Sequence, residues 1–442
     1  MSLLLRYLPG INSLIRRLNI KPLTTEQGMV IKKVFVSIFT QGLLSIISFA
    51  IGMLMVRYST KKDYAIFAIS FSIISIMGSV QNALANAPLT VLYAKKEESE
   101  QRAFVSGMAF GQLLYFFPLI TVILISFSIY SLLANSFSLM AKVTLLIFAI
   151  LTYLGKEYIR TIHYINLKIS KVLLMDIAFM FSACISIFAF FFSQGALSYN
   201  TALMSLFGGY SISLIFGYAL LANKFQYSWP SAKRAIKETW NYAFWAFIGT
   251  LSSVVETQAY IFVVSFFLSL EATADISAAR LLMMPAGLIL ASSIKIIMAK
   301  GSELLGRSSH ANFARFIHFM TLFLFIVSIT YTLVLFAFYG KISSILGEKY
   351  QNIKTLTILW AILFLFQGLK IPIKNALIVY KEFKAVTIND IISGGCTLLV
   401  CLLFTKFMGV KGALFSLILG ELLLLFLSSR LWIRRLRTEK HD

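Results

Sequence analysis

Charge is scarce in this 442-residue chain: Asp, Glu, Lys and Arg together make up 13%. That is too little to clothe a soluble fold whose hydrophobic share is 59%, against roughly 45–50% in ordinary soluble domains. Acidic residues are scarcer still, 18 against 40 Lys and Arg, for a formal net charge of +22. The basic residues lie between apolar runs rather than on one face of a compact domain, which argues against nucleic acid as a partner. The three cysteines, Cys184, Cys396 and Cys401, fall inside apolar stretches and make neither a metal spacing nor a disulfide framework. Neither a Walker-type phosphate loop nor a nucleophile elbow occurs. His163, His310, His318 and His441 are scattered without ligand spacing. With no connection long enough to fold as a soluble catalytic unit, the sequence reads as a non-enzyme without a bound cofactor.

What is abundant is apolar sequence in runs of about 20 residues, each long enough to cross a hydrocarbon layer roughly 30 Å thick. Twelve runs account for the pattern, beginning at about 34, 64, 103, 141, 172, 199, 241, 276, 312, 354, 385 and 410. An even number puts both termini on one side. The two ends and the even-numbered connections carry 30 Lys and Arg, the odd-numbered connections 10, so positive-inside bias predicts cytoplasmic termini. The chain therefore divides into a basic amphipathic segment at 1–33, an N-lobe of six spans at 34–222, and a cytoplasmic linker at 223–240. A C-lobe of six spans follows at 241–433, then a basic tail at 434–442. The expected fold is an all-α polytopic membrane protein, about 12 transmembrane helices in two six-helix lobes around a central cavity.

Polar stripes at helical spacing mark faces that avoid lipid. Span 1 carries Ser37, Gln41, Ser45, Ser48 and Gly52; span 2 carries Ser72, Ser75, Ser79, Asn82 and Asn86. Span 7 shows Gly249, Ser253, Glu256 and Tyr260, and span 8 shows Ser277, Arg280, Met284, Gly287, Ala291 and Lys295. One such stripe signifies close helix packing. Stripes on the first two helices of both halves point to one shared cavity.

An ionisable residue at mid-membrane costs roughly 2.5–3.5 kcal/mol on insertion scales unless paired or wet. Arg280 shares its stripe with small residues and precedes Met283-Met284-Pro285, which favours a cavity role, with Lys295 further along the same helix. Lys156 and Arg160 share a face of span 4 with His163, beside Glu157, either as an intrahelical ion pair at the boundary or as cavity lining. Glu256 is expected to pair with Arg280 or to exchange a coupling ion, a proton or sodium. Asp390 is expected to do likewise or to pair with Lys381 or Lys384. Lys300, Lys370 and Lys374 are expected to snorkel to headgroups.

The segment Gln41-Gly42-Leu43-Leu44-Ser45, continuing through Met55-Val56-Arg57-Tyr58-Ser59 to Lys62-Asp63-Tyr64-Ala65, resembles the first hairpin of polysaccharide-transport flippases, with Ala65 in place of the usual Gly. Ala274-Asp275-Ile276-Ser277-Ala278-Ala279-Arg280 through Pro285 resembles span 8 of the same group, though the proline usual near that span's inner end is missing between Lys295 and Lys300. The group is a branch of the multidrug/oligosaccharidyl-lipid/polysaccharide exporter superfamily, and the six-plus-six layout matches along essentially the whole chain. The resemblance implies a flippase in the bacterial inner membrane that moves undecaprenyl-diphosphate-linked O-antigen, capsule or exopolysaccharide units. Its implied partners are the lipid-linked oligosaccharide, membrane lipids, and a polysaccharide polymerase with its chain-length regulator. Arg280, Lys295, Lys156, Arg160, Gln41 and Asn82 are the expected substrate contacts. A multidrug exporter of the same fold, or a polymerase or ligase, are the alternatives.

Overall fold

The computed structural model describes residues 25–133, 137–221, 225–226, 228–306 and 310–438. Their helices are α1 (Thr25–Tyr58), α2 (Lys61–Tyr93), α3 (Glu98–Leu133), α4 (Phe137–Ile165), α5 (Ile169–Gln194) and α6 (Tyr199–Ala219). The second half holds α7 (Trp229–Phe267), α8 (Leu270–Leu281), α9 (Met284–Gly306), α10 (His310–Ala337), the short α11 (Tyr339–Leu346), α12 (Lys354–Val379) and α13 (Phe383–Thr438).

With the eight-residue α11 too short to cross, these helices make twelve crossings, because α8 and α9 share one span and α13 holds two. Helices α8 and α9 form one span bent by 57°. Pro285 lacks the N–H that would bond the carbonyl four residues back, so the helix cannot run straight through. Neighbouring helices satisfy nearby backbone groups: Tyr331 Oη donates to the Leu282 carbonyl at 2.5 Å, and Trp360 Nε1 to that of Ile276 at 3.0 Å. Helix α13 is two spans joined at Gly409, whose φ of 63° is the left-handed region that a side chain disfavours.

The motif after α1 explains itself structurally. Thr60 caps α2 by accepting from Asp63 N at 3.1 Å, while Asp63 Oδ1 accepts from Tyr199 N at the start of α6 at 3.2 Å. One carboxylate thus ties two helix N-termini together.

Some expected boundaries shift. Of the basic segment at 1–33, only residues from Thr25 onward fall within the described residues, where they begin α1. The linker expected over 223–240 is helical from Trp229 and runs unbroken into the seventh span. Ser228 caps it, Pro230 sits in its first turn, and buried Ala232, Ala235 and Thr239 pack it on α3. Likewise the tail continues α13 to Thr438.

The cores show where the lobes meet. At the end distal to the termini one continuous core includes Ile51, Met55 and Tyr64 of the N-lobe with Tyr260, Leu281 and Tyr350 of the C-lobe. At the proximal end the cores are separate, one around Leu89, Met108 and Tyr158, the other around Phe313, Ile317 and Trp432. The distal closure is reinforced by Lys61–Asp275 at 2.6 Å and by Arg57 Nη1 donating to the Ser344 carbonyl at 2.9 Å.

Candidate functional site

Cavities of about 530 and 210 Å³ lie between the lobes, and a third of about 320 Å³ adjoins both from the N-lobe side. They share walls through Ser75, Tyr153, Glu157, Arg160 and Gln258, and together form one cleft beneath the distal closure. The stripes of α2 and α7 supply much of the lining. Ser75, Ser79, Asn82 and Asn86 face Thr250, Ser253 and Thr257 across the largest cavity. Asn82–Asn86 is a π-helical turn. Pro88 would clash with the carbonyl four residues earlier in a regular helix, and the wider turn accommodates it. Asn86 Oδ1 and Ser277 Oγ, both at cleft-lining residues, are buried without a hydrogen-bond partner. Such atoms suit a polar substrate.

Arg280 lines the 210 Å³ cavity nearest the distal closure, in the last turn of α8 just before the bend. Its Nη1 donates to Tyr260 Oη at 3.0 Å and to Gln258 Oε1 at 3.3 Å. Its guanidinium sits 5.7 Å from the Tyr260 ring and 5.6 Å from the Trp360 ring. Both hydrogen-bonding partners are neutral. Among the described residues no carboxylate forms a salt bridge with it, so its charge is presented to the cleft uncompensated.

The cluster on α4 differs. Lys156 is 2% exposed, 2.7 Å from Glu157, and enclosed by the rings of Tyr153, Phe179 and Tyr210 at 5.1–5.5 Å. Arg160 lies 3.5 Å from Glu157 and 3.1 Å from Asp176 of α5. Two cations meet two carboxylates at the cleft wall. This face lines the cavity, and its cations and carboxylates are equal in number. His163 turns away, its Nε2 3.1 Å from the Gly217 carbonyl, into a separate recess near the proximal end.

Several expectations need correction. Glu256 does not pair with Arg280. It is 4% exposed and points into the C-lobe, 3.7 Å from Lys370 Nζ and 3.5 Å from Ser393 Oγ. Lys370 does not snorkel; it is 7% exposed and lies 2.5 Å from Glu421. Lys374 pairs with Asp390 at 2.7 Å, in place of the partners expected for Asp390, Lys381 and Lys384. None of these lines the cleft, nor does Lys295, which is exposed on α9. The side chain of Gln41 lies outside the described residues. Sequence reasoning passed over Asp176 and Glu421, each a lone acid inside an apolar run, and that isolation was the available signal.

No protein-family model matches the sequence, and no curated protein matches it. Solved structures do. An inward-facing multidrug resistance MATE family transporter of the MOP superfamily aligns over 90% of this chain and 96% of its own, at 11% identity and a TM-score of 0.69. The lipid II flippase MurJ in an inward closed conformation aligns over 89% and 86%, at 15% identity and a TM-score of 0.67. The eukaryotic MATE transporter AtDTX14 aligns over 93% and 99%, at 12% identity and a TM-score of 0.65. An outward-facing MATE structure scores 0.60. At these identities the likeness establishes architecture, and the chain has the two-lobed, twelve-helix fold of the MATE transporters and MurJ.

Proposed function

We propose that the protein is a flippase that carries an undecaprenyl-diphosphate-linked oligosaccharide, of the O-antigen, capsule or exopolysaccharide kind, across the bacterial inner membrane by alternating access. The observation that carries this reading is Arg280: a cation that has no carboxylate partner among the described residues, lining the cleft between the two lobes beside its larger polar cavity. A diphosphate brings about two negative charges, and stripping its water without counter-charge is prohibitive. The planar guanidinium fork suits that task. Ser48, Ser75 and Gln258 around it offer hydroxyl and amide groups for sugars. The glycan would occupy the larger cavities and the prenyl chain would trail into lipid. Moving one charge through 100 mV is worth about 2.3 kcal/mol, so an anion leaving a negative interior moves downhill.

The multidrug reading is favoured by the MATE likeness and by the aromatic lining from Phe67, Phe71 and Tyr260. It requires a cleft attractive to cations, and here the surplus charge is positive. Purified protein in liposomes decides between them. Transfer of a diphosphate-linked glycolipid between leaflets is expected, falling about tenfold or more in Arg280→Gln. Export of a cationic dye instead, unaffected by that substitution, would overturn the proposal.

A further inference from the structure

Among the described residues, the buried region richest in charged side chains lies outside the cleft. Lys370 of α12 projects between Glu256 of α7 and Glu421 in the second limb of α13, 3.7 and 2.5 Å from their carboxylates. Gln367 Nε2 donates to Glu421 Oε1 at 2.9 Å. Ser393, from the first limb of α13, gives its short hydrogen bond to the Gly420 carbonyl at 2.9 Å, which leaves Glu256 a hydroxyl at 3.5 Å. Lys374 and Asp390 form a second pair on the same two helices. Glu256, Glu421 and Ser393 are 4%, 2% and 0% exposed.

Three helical elements therefore converge on a shell of hard oxygen atoms: two carboxylates, a hydroxyl, and an amide that can turn its oxygen inward. That donor set binds small metal cations in proteins. Two buried carboxylates cannot stay ionised side by side without a positive charge. The positive charge present is an ammonium on the protein's own chain.

We propose that Lys370 is a tethered counter-cation, filling from within a site that would otherwise recruit a soluble monovalent metal ion, so that the C-lobe holds together and works without sodium. The inference does not depend on the substrate assigned to the cleft, since none of these residues touches it. Counting Lys374 and Asp390 as a neutral pair, the trio still carries one negative charge. Glu256, which has the two long contacts, is the carboxyl placed to hold the balancing proton.

The test uses thermal unfolding of the full-length protein in detergent, in sodium chloride and in choline chloride at equal ionic strength. The wild-type protein is expected to unfold at the same temperature in both. Lys370→Ala should unfold lower in choline, and sodium should restore about 5 °C or more. The paired change Lys370→Met with Glu421→Gln removes one charge of each sign, and should recover the wild-type midpoint in either salt. Sodium-dependent stability of the wild-type protein, or a folded Lys370→Ala indifferent to sodium, overturns the idea. If Lys370→Ala cannot be recovered folded in either salt, the paired variant decides: recovery supports a counter-charge role, and failure refutes it.

Discussion

The two lobes each bury a charge cluster, built on opposite plans. In the N-lobe, Lys156 and Arg160 are matched by Glu157 and Asp176, and the cluster forms part of the cleft wall. In the C-lobe, Lys370 and Lys374 face three carboxylates, Glu256, Glu421 and Asp390, sealed between helices. Counting lysines and arginines along the spans makes both lobes look alike. Counting partners shows that neither cluster offers a free positive charge, while Arg280, outside both, does. Among the described cations that line the cleft, Arg280 is the one without a carboxylate partner.

The harshest way to break this comparison is to strand a buried cation. Asp176→Ala leaves Arg160 with the more distant Glu157 alone, and Glu421→Ala leaves Lys370 with a carboxylate 3.7 Å away. Each should cost about 3–5 kcal/mol, the usual penalty for removing one partner of a buried pair, read as a lowered unfolding midpoint. Equal losses would mark both clusters as structural. Were Asp176→Ala to leave stability intact and tighten glycolipid binding, Arg160 would be a substrate contact held in reserve.

A milder substitution sharpens the contrast between Lys156 and Arg280. Met fits the aromatic enclosure of Tyr153, Phe179 and Tyr210, since a thioether packs well on ring edges. Lys156→Met should cost about 1–2 kcal/mol, mostly from weakening the hold on Glu157. Leaflet transfer in liposomes should fall less than about threefold, against about tenfold for Arg280→Gln. The reverse order of effects would move the anion site to the N-lobe.

The spans were legible in the sequence because a 20-residue apolar run has few other fates in a chain with so little charge. Their predicted starts lie within a few residues of most helices, and Pro285 and Gly409 account for the two breaks in continuous helix. The cleft's position was legible from the stripes, but its chemistry was only half so. Glu256 and Thr257 are neighbours in sequence yet about 100° apart around the helix. Thr257 faces the cleft and Glu256 faces α13, and periodicity alone does not say which sector points to which lobe. Lys370 lies deeper than a snorkelling lysine, and sequence spacing alone does not show that depth. Nine residues separate it from the end of α12, about 14 Å of helix, further than snorkelling comfortably spans. A lysine so deep demands an acid, and Glu421 was the isolated acid left without a role.

The smallest expected effect concerns the distal closure, whose charges are partly wet. Lys61 and Asp275 are 27% and 29% exposed, with Lys61 also lying 5.1 Å from the Tyr350 ring. Exposed pairs of this kind contribute about 0.2–1 kcal/mol, so Asp275→Asn should leave the unfolding midpoint nearly unchanged. That energy is small for folding but large for a population: up to about fivefold in the ratio of open to closed forms. Spin labels on the α1–α2 turn and on α11 would report it as a growing share of long distances. A loss of stability comparable to that of Asp176→Ala would mean that the closure is a fixed interface rather than a gate. The pair would then belong with the buried clusters, and the opening would have to lie elsewhere.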